Sequence, residues 1–161
     1  LNELEKIKIF YKERSSIKFE DIVKLTNSSE NYDISELTDQ CLLKNKKKIV
    51  NILNENIPSP EDNILILRSF LFKLKRLKKL KKEIEKQKNQ EIVISSFKPK
   101  IFWRDKDNIK QQLKTLSIED IRKFIKKVNE VELMIKQNSN ISNEITNNFI
   151  FETINSSNNS I

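Results

Sequence analysis

An all-helical bundle is the fold class this sequence predicts, and three observations predict it. The chain of 161 residues contains no glycine and only three prolines, Pro58, Pro60 and Pro99, so tight hairpins and left-handed turns lack their usual residues. Hydrophobic residues make up 37% and charged residues 34%, which is enough apolar material for a core under a wet surface and argues against disorder. Apolar residues recur at three- and four-residue steps in most segments, the period of a helix with one buried face.

The elements follow in order. Leu4, Ile7, Phe10 and Tyr11 give a helix over Leu1 to Glu13, and a short second helix spans Glu20 to Leu25, where Glu20 and Asp21 favour the positive N-terminal end. The polar string Thr26 to Asn31 reads as a loop, and a domain boundary is placed at its end. Asp33-Ile34-Ser35-Glu36 has capping-box form and opens a helix through Leu43. Lys46 to Asn56 carries Ile49, Ile52 and Leu53 on one face. Ser59-Pro60-Glu61-Asp62 is the strongest start signal: an N-cap serine, proline at the first helical position and acids in the first turn. The helix it opens is apolar nearly all round from Ile64 to Phe72 and keeps only a stripe, Leu74, Leu77, Leu80 and Ile84, thereafter.

Gln90 to Lys100 breaks the periodicity and is expected to be a connector, with Ile92-Val93-Ile94 as a short extended piece and Pro99 steering Lys98 away from helix. Ile101-Phe102-Trp103-Arg104-Asp105-Lys106 then enters a helix that ends at Thr115. Ser117-Ile118-Glu119-Asp120 caps another, whose core face is Ile121, Phe124, Ile125, Val128, Val131 and Ile135. A last helix presents Ile141, Ile145 and Phe149, with Ile150 and Ile154 on an adjacent line.

The composition excludes much chemistry. Without histidine there is no ordinary imidazole base or ligand, and without glycine there is no phosphate-cradling loop or dinucleotide fingerprint. The acids sit at helix starts and on polar faces, where capping and solvation account for them, so no catalytic, metal-binding or cofactor-binding residue is assigned. Cys41, the single cysteine, reads as a small buried hydrophobe. The longest apolar run, Ile64 to Phe72, is interrupted by Arg68 and is far shorter than the roughly 20 residues of a bilayer span. No signal peptide is seen, so a cytoplasmic location without membrane contact is expected. Leu1 falls inside an amphipathic pattern without an initiator Met, and the chain is expected to be the C-terminal part of a longer one.

Two features could contact a partner. Between Pro60 and Lys88 ten basic residues face four acidic ones, so six of the eight net positive charges of the chain lie there. Lys73, Lys75, Arg76, Lys78, Lys79 and Lys82 are the candidates for contact with a phosphate backbone, although no aromatic is interleaved from Lys73 to Lys88. Phe102 and Trp103, beside Arg104 and Lys106, could stack on bases, but aromatics next to a helix start more often anchor packing or an interface. Glu132 and Lys136 have the spacing of a helix-surface ion pair, worth about 0.3–0.5 kcal/mol.

In their order these segments resemble a known family, the delta subunit of the bacterial DNA polymerase III clamp loader. The resemblance rests on Leu1-Asn2-Glu3-Leu4-Glu5-Lys6, on Ile17-Lys18-Phe19-Glu20-Asp21-Ile22, on the helix from Ile34 to Leu43 and on the long basic helix. It continues through the aromatic and basic segment at Ile101 to Lys106, the helix start at Leu116-Ser117, and Glu132 with Lys136. It implies that residues 1–30 end a helical lid domain of AAA+-like type and that 31–161 form a helical collar. It also implies a non-catalytic role within a DNA-directed DNA polymerase holoenzyme, in which collars of several subunits join into a hetero-oligomeric ring that loads the sliding clamp during replication. The clamp would be met by an N-terminal domain outside this sequence, and DNA is a possible further partner. Phe102, Trp103, Ile145, Phe149 and Ile150 are the residues expected at packing or subunit interfaces, with an apolar patch left open along Ile141 to Ile154. The alternative is a stand-alone basic helical module that binds nucleic acid through Lys73 to Lys88.

Overall fold

The computed structural model describes residues 8–9, 28–55 and 59–155 of the chain, and these contain helices and no strand. Apart from Lys8 and Ile9, which are helical, the helices foreseen over Leu1 to Glu13 and Glu20 to Leu25, and with them nearly all of the expected lid segment, lie outside the described residues. From Ser28 onward seven α-helices follow one another among the described residues: α1 Ser28–Leu42, α2 Lys46–Glu55, α3 Pro60–Gln87, α4 Gln90–Ser96, α5 Lys106–Thr115, α6 Ile118–Gln137 and α7 Ser142–Asn155. Two short 3-10 turns, Trp103–Asp105 and Ser139–Ile141, precede α5 and α7.

The long helix α3 is the axis of the bundle, and α1, α4, α5, α6 and α7 all pack on it. Ser59 caps it as its sequence demands: its hydroxyl accepts from the Asp62 amide at 3.3 Å, and the Asp62 carboxylate accepts from the Ser59 amide at 2.8 Å, with Pro60 in the first turn. Ile66, Leu67, Phe70, Leu74, Leu77 and Leu80 run down its buried side. Phe70 joins three helices there, its ring 5.2 Å from that of Phe149 in α7 and 5.7 Å from that of Phe124 in α6. Cys41 lies in the same core, where burial pushes its thiol up to about 12.

Two elements differ from expectation. Helix α1 is continuous across Glu30–Asn31, so Ser28 to Asn31 are not a loop, the assigned domain boundary falls inside a helix, and Asp33 lies within α1 rather than at its start. A polar string without glycine or proline contains nothing that stops a helix. Likewise, Ile92-Val93-Ile94 is helical. The Asn89 side chain caps α4 by accepting from the Ile92 amide at 3.2 Å, and Val93 and Ile94 bury against α3. Packing here overrides the β preference of three branched residues.

Without glycine, two helix ends take lysine in the left-handed region. Lys44, at φ 56°, closes a Schellman motif after α1, its amide donating to the Cys41 carbonyl at 3.0 Å and that of Asn45 to the Gln40 carbonyl at 2.9 Å. Lys88, at φ 54°, ends α3 with its amide on the Ile84 carbonyl at 2.8 Å. Each such residue costs about 1–2 kcal/mol that glycine would not.

Helix α6 begins at a capping box. The Ser117 hydroxyl accepts from the Asp120 amide at 3.0 Å, and the Asp120 carboxylate receives the Ser117 amide at 2.9 Å and hydroxyl at 2.6 Å. The Ser117 hydroxyl and amide hold the Asp120 carboxyl below its usual range. A depressed carboxyl stabilises the fold above its unfolded-state pKa, and that contribution is lost as pH falls through the folded-state pKa. Ser117→Ala is therefore expected to destabilise the protein by about 1 kcal/mol at neutral pH. In urea unfolding, the difference from the parent should shrink as the solution is acidified through the Asp120 transition.

Candidate functional site on the open face of the basic helix

The six basic candidates do not form one surface. Lys73 is buried, only 4% exposed, with its ammonium against the Asp39 carboxylate of α1 at 2.6 Å. The same ammonium donates to the Ser35 carbonyl and hydroxyl, both at 2.9 Å, which uses its three protons. The other Asp39 oxygen accepts from Gln112 Nε2 of α5 at 2.9 Å. Lys73 is thus removed from the expected phosphate-contacting set, because it fastens α1 and α5 to α3. Burial, outweighing the attraction of Asp39, lowers its pKa.

Arg76 is also occupied. Its guanidinium lies 3.5 Å from the Asp105 carboxylate and 5.6 Å from the centre of the Phe72 ring, and its Nε is buried with no partner among the described residues. This pairing ties the turn Trp103–Asp105 to α3. Lys78 is half-buried, whereas Lys75, Lys79 and Lys82 are exposed.

Those three belong to a longer line. Arg68, Phe72, Lys75, Lys79, Lys82 and Lys86 follow each other at steps of four, three, four, three and four, and every one is exposed. Such steps stay on one face of a helix, and at 1.5 Å per residue the line is about 27 Å long. Lys86 meets Glu83 at 3.1 Å, while among the described residues no ion pair engages Arg68, Lys75, Lys79 or Lys82. Arg68, Phe72 and Lys86 lie outside the set expected from sequence, although their alternating step is legible there.

Phe102 and Trp103 are 56% and 67% exposed, so they do not pack into this chain as core anchors. Their rings are 5.7 Å apart, and the Arg104 guanidinium lies 5.1 Å from the centre of the Trp103 ring. The segment Ile101 to Lys106 buries only Ile101; Phe102 immediately precedes the 3-10 turn, Trp103 opens it, and both rings are exposed.

No family model, no curated protein and no solved structure matches the chain.

The last helix also departs from the expected arrangement. Phe149, Ile150 and Ile154 are buried within the chain and Ile145 is half-buried, so the line foreseen as an open patch is mostly taken up by the core. The physical cause is that α7 packs against α6, α3 and α1 at once. Within the foreseen segment Ile141 and Phe151 stay exposed, as do Leu133 and Met134 near the end of α6, the helix on which the turn Ser139–Ile141 packs. Asn138 holds this corner, its amide and side chain donating to the Met134 carbonyl at 2.9 and 3.0 Å, while its own carbonyl accepts from the Ile141 amide at 3.2 Å. Glu132 and Lys136 pair at 2.7 Å beside it. Among the described residues no group of three or more acids and cysteines could hold a metal ion, and no helix is long and apolar enough to cross a membrane.

Proposed function

We propose that this chain is the end of the lid and the collar of a clamp-loader delta subunit, a non-catalytic scaffold for the assembly that loads the sliding clamp on DNA. The observation that carries the reading is the ordered succession of segments. The reading rests on the sequence, in which the helix through Leu43, the long lysine-rich helix, the aromatic and basic segment, the Leu116-Ser117 helix start and Glu132 with Lys136 follow one another in the order of the resemblance. An all-helical bundle with exposed apolar corners is also what a ring-forming scaffold needs.

On this reading the contact with neighbouring subunits uses Leu133, Met134 and Ile141, together with Phe102 and Trp103, and not Phe149 or Ile150. In the full-length protein, Leu133→Asp with Met134→Asp is expected to abolish co-elution with the other clamp-loader subunits in gel filtration while leaving helical circular dichroism unchanged. Retained co-elution would reject this surface. An upstream coding sequence specifying a domain unrelated to AAA+ folds would reject the whole assignment.

The stand-alone nucleic-acid module remains the second reading, favoured by the open line of cations on α3. It separates from the first by assembly: a stand-alone module elutes by itself.

A further inference from the structure

We infer that the exposed ridge Arg68–Phe72–Lys75–Lys79–Lys82–Lys86 of α3 is a track for single-stranded nucleic acid. Five cations lie on one face of one helix, and four of them have no carboxylate partner among the described residues. Like charges at three- and four-residue steps repel one another along an isolated helix, so the ridge carries an electrostatic cost that a polyanion laid along it would relieve. The acids of the same helix do not cancel it: Glu61 and Asp62 lie in the first turn, ahead of the ridge, with Asp62 engaged by the Ser59 cap, Glu83 is occupied with Lys86, and Glu85 lies off the ridge line.

Phe72 decides between strand types. It sits on the ridge between Arg68 and Lys75, is 60% exposed, and has one cation, Arg76, near its ring. An exposed ring among phosphate-seeking lysines is of use to an unpaired base, whose flat face is free to stack, and of none to a duplex, whose bases are already stacked. An anionic membrane would draw the lysines too, but it calls for an apolar face beneath them, and the side of α3 that is apolar is turned into the core. The ridge does not depend on the assembly reading, and its failure and that of the scaffold are told apart because strand binding and subunit co-elution are separate measurements.

The test uses the full-length protein and a fluorescently labelled single strand of about 20 nucleotides, followed by anisotropy at several salt concentrations. With five phosphate contacts, the slope of log affinity against log salt should be about −3.5. Replacing Lys75, Lys79 and Lys82 together by Gln should weaken binding at least about tenfold and reduce the slope by about 2. The corresponding triple Arg variant should bind like the parent. Phe72→Ala should cost about tenfold on the single strand and leave duplex binding unchanged. The proposal is overturned if the folded triple Gln variant binds as tightly as the parent, or if Phe72→Ala has no effect. It is equally overturned if a duplex or a phosphatidylserine vesicle is bound more tightly than the strand.

Discussion

Replacing Lys73 by Met should destabilise the protein by about 3–5 kcal/mol, more than any substitution on the exposed face of the same helix. The reason is the carboxylate it leaves behind. Asp39 is 4% exposed, and Gln112 can satisfy only one of its oxygens. A buried charge without a counter-charge bears its full desolvation cost, and the Ser35 carbonyl loses a donor at the same time. The companion experiment makes the claim specific. Asp39→Leu combined with Lys73→Met removes both charges and should restore most of the loss, because an ion pair replaced whole by apolar groups is often neutral or stabilising. Urea unfolding of the two single variants and the double variant would give a coupling energy of several kcal/mol. If the single Lys73 variant lost less than about 1 kcal/mol, the pair would not be the fastening described above.

The second large effect belongs to Phe70. Phe70→Ala should cost about 3–5 kcal/mol, as truncation of a wholly buried aromatic does. Its neighbours cannot close the gap easily, since Phe124 and Phe149 are on different helices and touch each other at 6.0 Å between ring centres. Phe149→Ala in the same background should cost less than it does alone, because the contact between the two rings is already gone. Denaturant midpoints for the singles and the double would show this. Additive losses would mean that the three rings do not act as one cluster. Against a typical domain stability of about 5–15 kcal/mol, either the Lys73 or the Phe70 change is enough to bring the fold near its limit.

The fold was largely legible because helix starts announce themselves locally. Ser59-Pro60 and Ser117 with Asp120 state their own geometry, since the atoms that cap are within three residues of the atoms they satisfy. Segments whose state is set from a distance were not legible. Ile92 to Ile94 have β-branched side chains, and only the wall of α3 beside them makes a helix the better use of them. The candidate site shows the same division. The accumulation of lysines on one helix was visible, but Lys73 is set apart from Lys75 by an aspartate far away in sequence. No local pattern states which lysine of a run will meet Asp39. Phe149 and Ile150 show the converse, as an apolar face visible in sequence does not say whether its cover comes from the same chain or another.

The two left-handed lysines give the absence of glycine from the sequence a mechanical meaning. With no glycine in its 161 residues, the chain has to end its helices on residues that carry a Cβ. Lys44 and Lys88 occupy the positions where that requirement falls, one at the turn from α1 into α2 and one at the close of the bundle's axis. A feature of bulk composition thereby becomes strained backbone at two named residues, which the rest of the fold has to offset.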